Sequence, residues 1–314
     1  KLVEAGIDST ATLAGVDHDV SAIDVTHLDR LVGQAALQVG TRLLGADSTP
    51  LFELLDQAAE TEPAGFAALP QPNDGDVFLD FEGHPFWKPE TDLFFLFGLI
   101  ERSDQSIAGK AVDDWTFVSF WAHDKAEEAK ATQALIEHLA MRRQQFPGMH
   151  VYHYNHTERS ALERLTIEHG VAEAALENMI ATGLYVDLYA VVKGAVRIGT
   201  ESYGLKHVEQ LTEYERGHDI DQGAGAVVEY ERWMSEPDLA QRDQNMLDRI
   251  ADYNEDDVRA TRAVRDWLVA HRPVNAAWRA PVLELTEPDP ELDQRIEKLH
   301  GFDVGSPEHL MGDL

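Results

Sequence analysis

The sequence predicts an α/β fold: a mixed sheet, three antiparallel strands then parallel strands, flanked by helices and preceded by a small helical segment. Three observations carry that expectation. The runs "DVFLDFEG", "LFFLFGLI" and "WTFVSFWA" are short, apolar or alternating, and closed by charged or turn residues. Their enrichment in Phe, Val, Leu and Trp argues strands, and their short connections argue an antiparallel meander. A long amphipathic helix, "DKAEEAKATQALIEHLAMRRQQF", then separates them from a fourth strand, "HVYHY". Last, "LAQRDQNMLDRIADYNEDDVRATRAVRDWLVAHR" reads as a long closing helix with a break near Tyr253.

Residues 1–61 read as a helical, hairpin-like segment. "THLDRLVGQAALQVGTRLLG" places Leu28, Leu31, Val32, Ala35, Val39 and Leu43 on one face, with Thr26 as N-cap. Ahead of it, "LVEAGIDSTATLAGV" gives two short helical pieces about Gly6, the second capped by Ser9. A plain hairpin is the favoured reading, a backbone phosphate clamp the alternative. Residues 62–73 open a stretch rich in proline and glycine and read as a linker. The main domain spans 74–272. Within it "TERSALERLTIEHG" reads as a helix, "LYVDLYAVVKGAV" as strand or helix, and "SYGLKHVEQL" as a short helix. Residues 273–314 hold five prolines, and from Glu284 onward nine acids stand against two bases, which reads as an acidic tail or connector.

At 314 residues, 44% apolar and 26% charged, the chain can bury a sizeable core. No apolar run is long enough for a membrane span and no secretory pattern opens the sequence, so a membrane partner is not expected. The absence of cysteine excludes disulfides, thiolate metal sites and cysteine nucleophiles, and fits a cytoplasmic protein. Acids outnumber bases 57 to 26, a formal net charge of −31. Such a field repels nucleic acid at long range unless a basic track or bound cations offset it.

The chemistry concentrates in "VFLDFEGHPF". Alternation along a strand points Asp80 and Glu82 to the same face. Two carboxylates at a strand end form half of a site for a hard divalent cation such as Mg²⁺ or Mn²⁺. In "YNEDDVRATRAVRDWL", Tyr253 and Asp257 are one helical turn apart on one face, beside the apolar positions Val258, Ala260, Thr261 and Val264. Glu255 and Asp256 read as solvated acids. In "HVYHYNHTERSALERL", Asn155 and Glu158 sit where a strand gives way to a helix. His150, His153 and His156 alternate faces, which reads as polar packing or substrate contact rather than zinc ligation.

These elements together resemble a known family. A D-x-E first strand, an Asn-plus-acid motif after the fourth strand and a late Y-x-x-x-D helix resemble the DEDD exonucleases of the ribonuclease H-like superfamily. The tyrosine form resembles the DEDDy branch, which includes the proofreading domains of DNA polymerases. More closely, "VFLDFEGHPF", "VYHYNHTERSAL", "VDLYAVV", "SYGLKHVEQL" and "YNEDDVRATRAVRDWL" are similar to the YprB-type ribonuclease H-like domain of predicted RecB-family nucleases. The likeness covers about residues 75–270, five motifs in order.

The resemblance implies a ribonuclease H-like sheet and a 3′→5′ exonuclease acting on single-stranded DNA or RNA in nucleic-acid processing or repair. It implies that the chain is a middle piece of a larger protein carrying nuclease and helicase regions. It makes Asp80, Glu82 and Asp257 metal ligands and gives Tyr253 the positioning of the attacking water. The middle motif departs from the pattern, because Glu158 stands where an aspartate is usual; Glu158 is then the fourth ligand, with Asp187 as its substitute. The implied mechanism uses two ions, Mg²⁺ or Mn²⁺, about 4 Å apart. Lys206, Arg159, Asn155 and Arg197 are candidate nucleic-acid contacts, and Phe86 and Trp87 candidate stacking surfaces, while Phe81 reads as core. The competing reading is a catalytically weak or inactive nucleic-acid-binding or scaffolding domain, favoured by Glu158 and by the acidic charge. Endonucleolytic cleavage in the manner of ribonuclease H is opposed by the Y-x-x-x-D motif.

Overall fold

The computed structural model describes residues 1–20, 23–55, 63–89, 91–103, 115–217, 223–238 and 241–282, with six isolated positions beyond. Lys1–Ala280 form one compact unit and Pro281–Leu314 a second, most of which lies outside the described residues, as does most of the expected acidic tail.

The strands are β1 (Phe52–Leu54), β2 (Val77–Lys88), β3 (Thr91–Arg102), β4 (Trp115–Trp121), β5 (Val151–His153), β6 (Tyr185–Asp187) and β7 (Val196–Ile198). Five of them make one mixed sheet in the order β4-β3-β2-β5-β6. β2 pairs antiparallel with β3, as their short connection requires, and β3 pairs antiparallel with β4. β2–β5 and β5–β6 are parallel, and the crossovers between them are helical. These are α3 (Lys125–Gln145) ahead of β5, then α4 (Thr157–His169) and α5 (Glu173–Ala181) ahead of β6. The fold is thus α/β with the expected mixed sheet, three antiparallel strands followed by parallel ones.

Alternation divides the sheet's two faces. Val77, Leu79, Phe81, Phe97 and Leu99 pack on Leu135, Ile136 and Leu139 of α3 and Leu162 and Leu165 of α4. On the opposite face Phe78, Ile100, Tyr152 and Val186 meet α6 (Leu188–Ala195) and the closing helix α9 (Gln244–His271) through Val191, Val192, Val258, Val264 and Leu268. β3 changes face midway. Glu82 pairs with Leu96 but Gly83 with Phe94, so Phe95 is an inserted bulge residue. Beyond it Leu93 and Phe95 turn to the α9 side and pack on Tyr230 and Trp233 of α8 (Gly223–Ser235) and Ile250 and Tyr253 of α9.

One buried ionic knot ties these layers at the end of the sheet. Asp76, fully buried, accepts from the His150 and Asn73 amides at 2.9 Å each and from the Arg265 guanidinium at 2.7 Å. Removing one member of such a pair strands the other charge, at a cost of about 3–5 kcal/mol. Asp76→Ala is therefore expected to lower denaturant stability by about that amount, and an unchanged urea midpoint would refute the role.

Several expectations are revised. Helix α2 (Val25–Leu44) is capped by Asp24, whose side chain accepts from His27, rather than by Thr26, because Asp24 has the extended backbone that precedes the first turn. Ser9 does cap α1 (Thr10–Ala14). Leu43 faces solvent, since the α2 stripe buries only Leu28 and Ala35 deeply. The N-terminal segment is not wholly helical: β1 lies within it and pairs antiparallel with β7, while Gln34 and Gln38 of α2 donate to the carbonyls of Ile198 and Thr200. The stretch read as a linker carries Phe66 and Leu69, both fully buried. Residues 273–280 also dock, with Trp278 on the core and Arg279 donating to the Gly183 carbonyl at 2.7 Å. "LYVDLYAVVKGAV" resolves into β6, α6 and the start of β7, "SYGLKHVEQL" carries the short helix α7 (Leu205–Val208), and α9 runs unbroken through Tyr253.

Candidate active site

β2 carries Asp80 and Glu82 on the face that meets α9. Opposite Asp80 on β3 stands Gly98. A Cβ there would lie 1.7 Å from Asn254 Oδ1 and 3.0 Å from Phe117, so only glycine lets α9 approach this closely. Asn254, fully buried, uses that space to donate from Nδ2 to Asp80 Oδ2 at 2.8 Å. One turn along α9, Asp257 brings a third carboxylate. One oxygen from each of Asp80, Glu82 and Asp257 lies within 4.8 Å of the other two.

Three acids this close and this buried resist ionisation. Burial pushes Asp80 well above the ordinary carboxylate range, and the charges of Asp257, Glu158 and Glu82 push it the same way. Glu82 is pushed up to about 8, first by desolvation and then by Asp257, against the pull of Asn254 and Lys206. Asp257 is raised by burial despite its ion pair with Arg216. Tyr253, 5% exposed, has its phenol raised by desolvation and by Asp257, Glu82 and Asp80, so its proton stays on. Lys206 Nζ lies 5.5 Å above the Tyr253 ring.

The other expected residues lie as follows. Glu158 is buried at the first turn of α4 and outside the close group of three. Its Oε2 is 3.4 Å from His153 Nδ1 yet has no hydrogen bond, because that ring nitrogen faces the Asn155 carbonyl. Asp187 is engaged elsewhere: Oδ1 accepts from the amides of Asn155, Tyr189 and Ala190, capping α6. Asn155 takes a left-handed φ of 83° at this turn, and its Oδ1 meets His156. His150 lies instead 3.6 Å from Asp76, so the three histidines do not converge. Arg159 pairs with Glu163 on α4, and Arg197 with Glu53 on the β1–β7 ribbon. Phe86 is 83% exposed, Trp87 packs on α8 and donates to Met234, and Phe81 is core.

Asp256 is a correction. Read as a solvated acid, it is 5% exposed and accepts from the Tyr214 hydroxyl at 2.6 Å and the Gly217 amide at 3.2 Å. Glu255 pairs with Arg259 at the surface of the helix. Sequence reasoning also missed Asn254 and Arg216. A signal for the first existed: a lone glycine inside the bulky run "LFFLFGLI" marks close approach of another backbone or side chain. For Arg216, in an irregular segment, no periodic signal existed.

A second acidic group, Glu128, Glu168 and His169, is already satisfied. Glu128 accepts from Lys125 at 2.7 Å, His169 at 2.8 Å and the Phe94 amide at 2.7 Å, a donor that faces it beside the Phe95 bulge.

A mixed sheet in this order, with acids from its first strand and its closing helix meeting on one face, gives an α/β domain whose clustered hard oxygens could hold a divalent cation. The chain belongs to the ribonuclease H superfamily: the RNase_H_2 family model, described as RNase_H superfamily, matches residues 77–269. Every residue of the acidic group and the whole five-stranded sheet lie inside that span. It is accordingly a ribonuclease H-like nuclease domain, which implies nucleic-acid binding. No curated protein and no solved structure matches the chain significantly. Among the described residues no helix is long and apolar enough to cross a membrane.

Proposed function

We propose that the chain is a metal-dependent nuclease that hydrolyses phosphodiester bonds of single-stranded nucleic acid, as a 3′→5′ exonuclease of the DEDDy kind. The observation that supports this most is the meeting of Asp80, Glu82 and Asp257 oxygens within 4.8 Å beside the buried phenol of Tyr253. The donor set fits Mg²⁺ or Mn²⁺: all oxygen, anionic, and carrying raised pKa values that a cation would relieve. A bound divalent ion supplies Lewis-acid stabilisation of phosphoryl charge and lowers the pKa of an attacking water.

The chain's own residues do the rest. Asp80, Glu82 and Asp257 present the ligand oxygens, and the Asn254 amide fixes the rotamer of Asp80. Tyr253 keeps its proton and so acts as a hydrogen-bond donor that orients water, not as a base. Glu158, with a buried oxygen lacking a partner, is the fourth acid available to the site. Lys206, whose charge acts on Glu82 and Asp257, is the candidate to neutralise a bound phosphate. A fusion to nuclease and helicase regions and a cytoplasmic, repair-related setting remain part of this proposal on the motif likeness alone.

The test is degradation of 5′-labelled single-stranded DNA and RNA with Mg²⁺ or Mn²⁺, with Asp80→Ala in parallel. A ladder shortening from the 3′ end, dependent on metal and lost in the variant, is the expected result. Metal binding without cleavage of either polymer would replace it with the scaffolding reading.

A further inference from the structure

Arg216 is the cation that already touches the acidic group. Its Nη2 lies 2.7 Å from Asp257 Oδ1. Nε and Nη2 also grip both oxygens of Glu209 at 2.7 Å each, a bidentate fork that fixes the plane of the guanidinium. The segment that carries it is tied to α9 on either side, through Tyr214 and Gly217 onto Asp256. Arg216 is only 17% exposed, and its Nη1 is buried without a hydrogen-bond partner. As an arginine guanidinium it is a permanent cation. This is a built feature, unlike the solvated surface pairs of Arg159 or Arg164.

Its position bears on how many ions the site takes. In the two-metal scheme the ions sit about 4 Å apart and draw on neighbouring carboxylate oxygens, with water and phosphate completing each shell. Here one oxygen of Asp257 is occupied by a guanidinium nitrogen. Glu158 stands outside the close group, and Asp187 is engaged by three backbone amides. One oxygen from each of Asp80, Glu82 and Asp257 converges on a single seat, and the arginine stands at its flank on Asp257.

We propose that Arg216 takes the place of one of the two metal ions of the two-metal scheme: the chain holds a single divalent cation on Asp80, Glu82 and Asp257, and the guanidinium supplies the other positive charge at Asp257. This inference rests on the nuclease reading above. Glu209 is its positioning residue, holding the fork with Nη2 against Asp257 Oδ1.

The experiment is to count Mn²⁺ bound by the 314-residue chain, by calorimetric titration and electron paramagnetic resonance, for wild type, Arg216→Gln and Arg216→Lys. Wild type is expected to bind one Mn²⁺ with no spin-coupled pair, even in excess metal. Arg216→Gln is expected to bind Mn²⁺ more tightly, because a repelling charge is gone, yet to hydrolyse on the order of 100-fold more slowly. Arg216→Lys should recover part of that rate. Two ions per wild-type chain with a coupled spectrum, or full activity in Arg216→Gln, would overturn the inference while leaving the nuclease reading intact. No Mn²⁺ bound at all would overturn both. The wild-type count needs no variant, so a variant that fails to fold does not block the answer.

Discussion

Gly98→Ala is expected to reduce hydrolysis by on the order of 100-fold and to destabilise the fold by about 1–3 kcal/mol. The reason is geometric. The new methyl would meet Asn254 Oδ1 at 1.7 Å and the Asn254 side-chain carbon at 2.9 Å, with Phe117 at 3.0 Å on another side. Asn254 is fully buried, so its amide has no open solvent to swing into. Either the amide leaves Asp80 or α9 backs away from the sheet, and the second also carries Asp257 and Tyr253 away from β2. The double variant Gly98→Ala, Asn254→Ala separates packing from chemistry. It restores room for the methyl, so stability should recover toward the level of Asn254→Ala alone. Activity should stay low, because Asp80 still lacks its orienting amide. Melting curves and single-turnover rates on the four proteins of the cycle decide it. A Gly98→Ala protein with wild-type rate would show that close contact between α9 and β3 does not shape the site.

The same glycine shows where the sequence is legible and where it is not. Asp80 and Glu82 were readable as a pair because alternation along a strand is strict, and Tyr253 and Asp257 because a helix repeats on one face. Periodicity speaks only within one element. Asn254 matters because Gly98, 156 positions earlier, leaves room for it, and no pattern in either element states that match. Asp256 looked solvated inside an acidic run, and its partners come from Tyr214 and Gly217 in a segment with no repeat. Arg216 was invisible for the same reason. The Phe95 bulge escaped too, since "LFFLFGLI" is apolar on both phases and hides the change of face. In the N-terminal part, prolines and glycines signalled a linker, whereas Phe66 and Leu69 fill the core; composition marks irregular backbone, not exposed backbone.

A second large effect concerns pH and metal together. In the metal-free protein Glu82 is pushed up to about 8, with Asp80 and Asp257 raised as well, chiefly by desolvation. In the unfolded chain these carboxyls return to ordinary values near 4. Between about pH 4 and pH 8 the folded state therefore holds more protons than the unfolded state. Stability from these groups is fully present below that window and falls as pH rises through it, by on the order of a few kcal/mol in total. A divalent cation needs the same oxygens deprotonated, so it binds most tightly at the top of the window, and binding there releases few protons. Metal-free melting temperature is expected to drop between about pH 5.5 and pH 8, and saturating Mg²⁺ to flatten that drop, with its largest stabilising shift near pH 8. Glu82→Gln removes one of the titrating charges, so it should melt higher than wild type at pH 8 without metal and respond weakly to Mg²⁺. Clustered acids without a full matching charge oppose stability until a cation binds, which distinguishes them from Asp76, whose charge is matched by Arg265. If metal-free stability instead rose across this window, or Mg²⁺ shifted wild type and Glu82→Gln alike, the three acids would not be the cation's ligands.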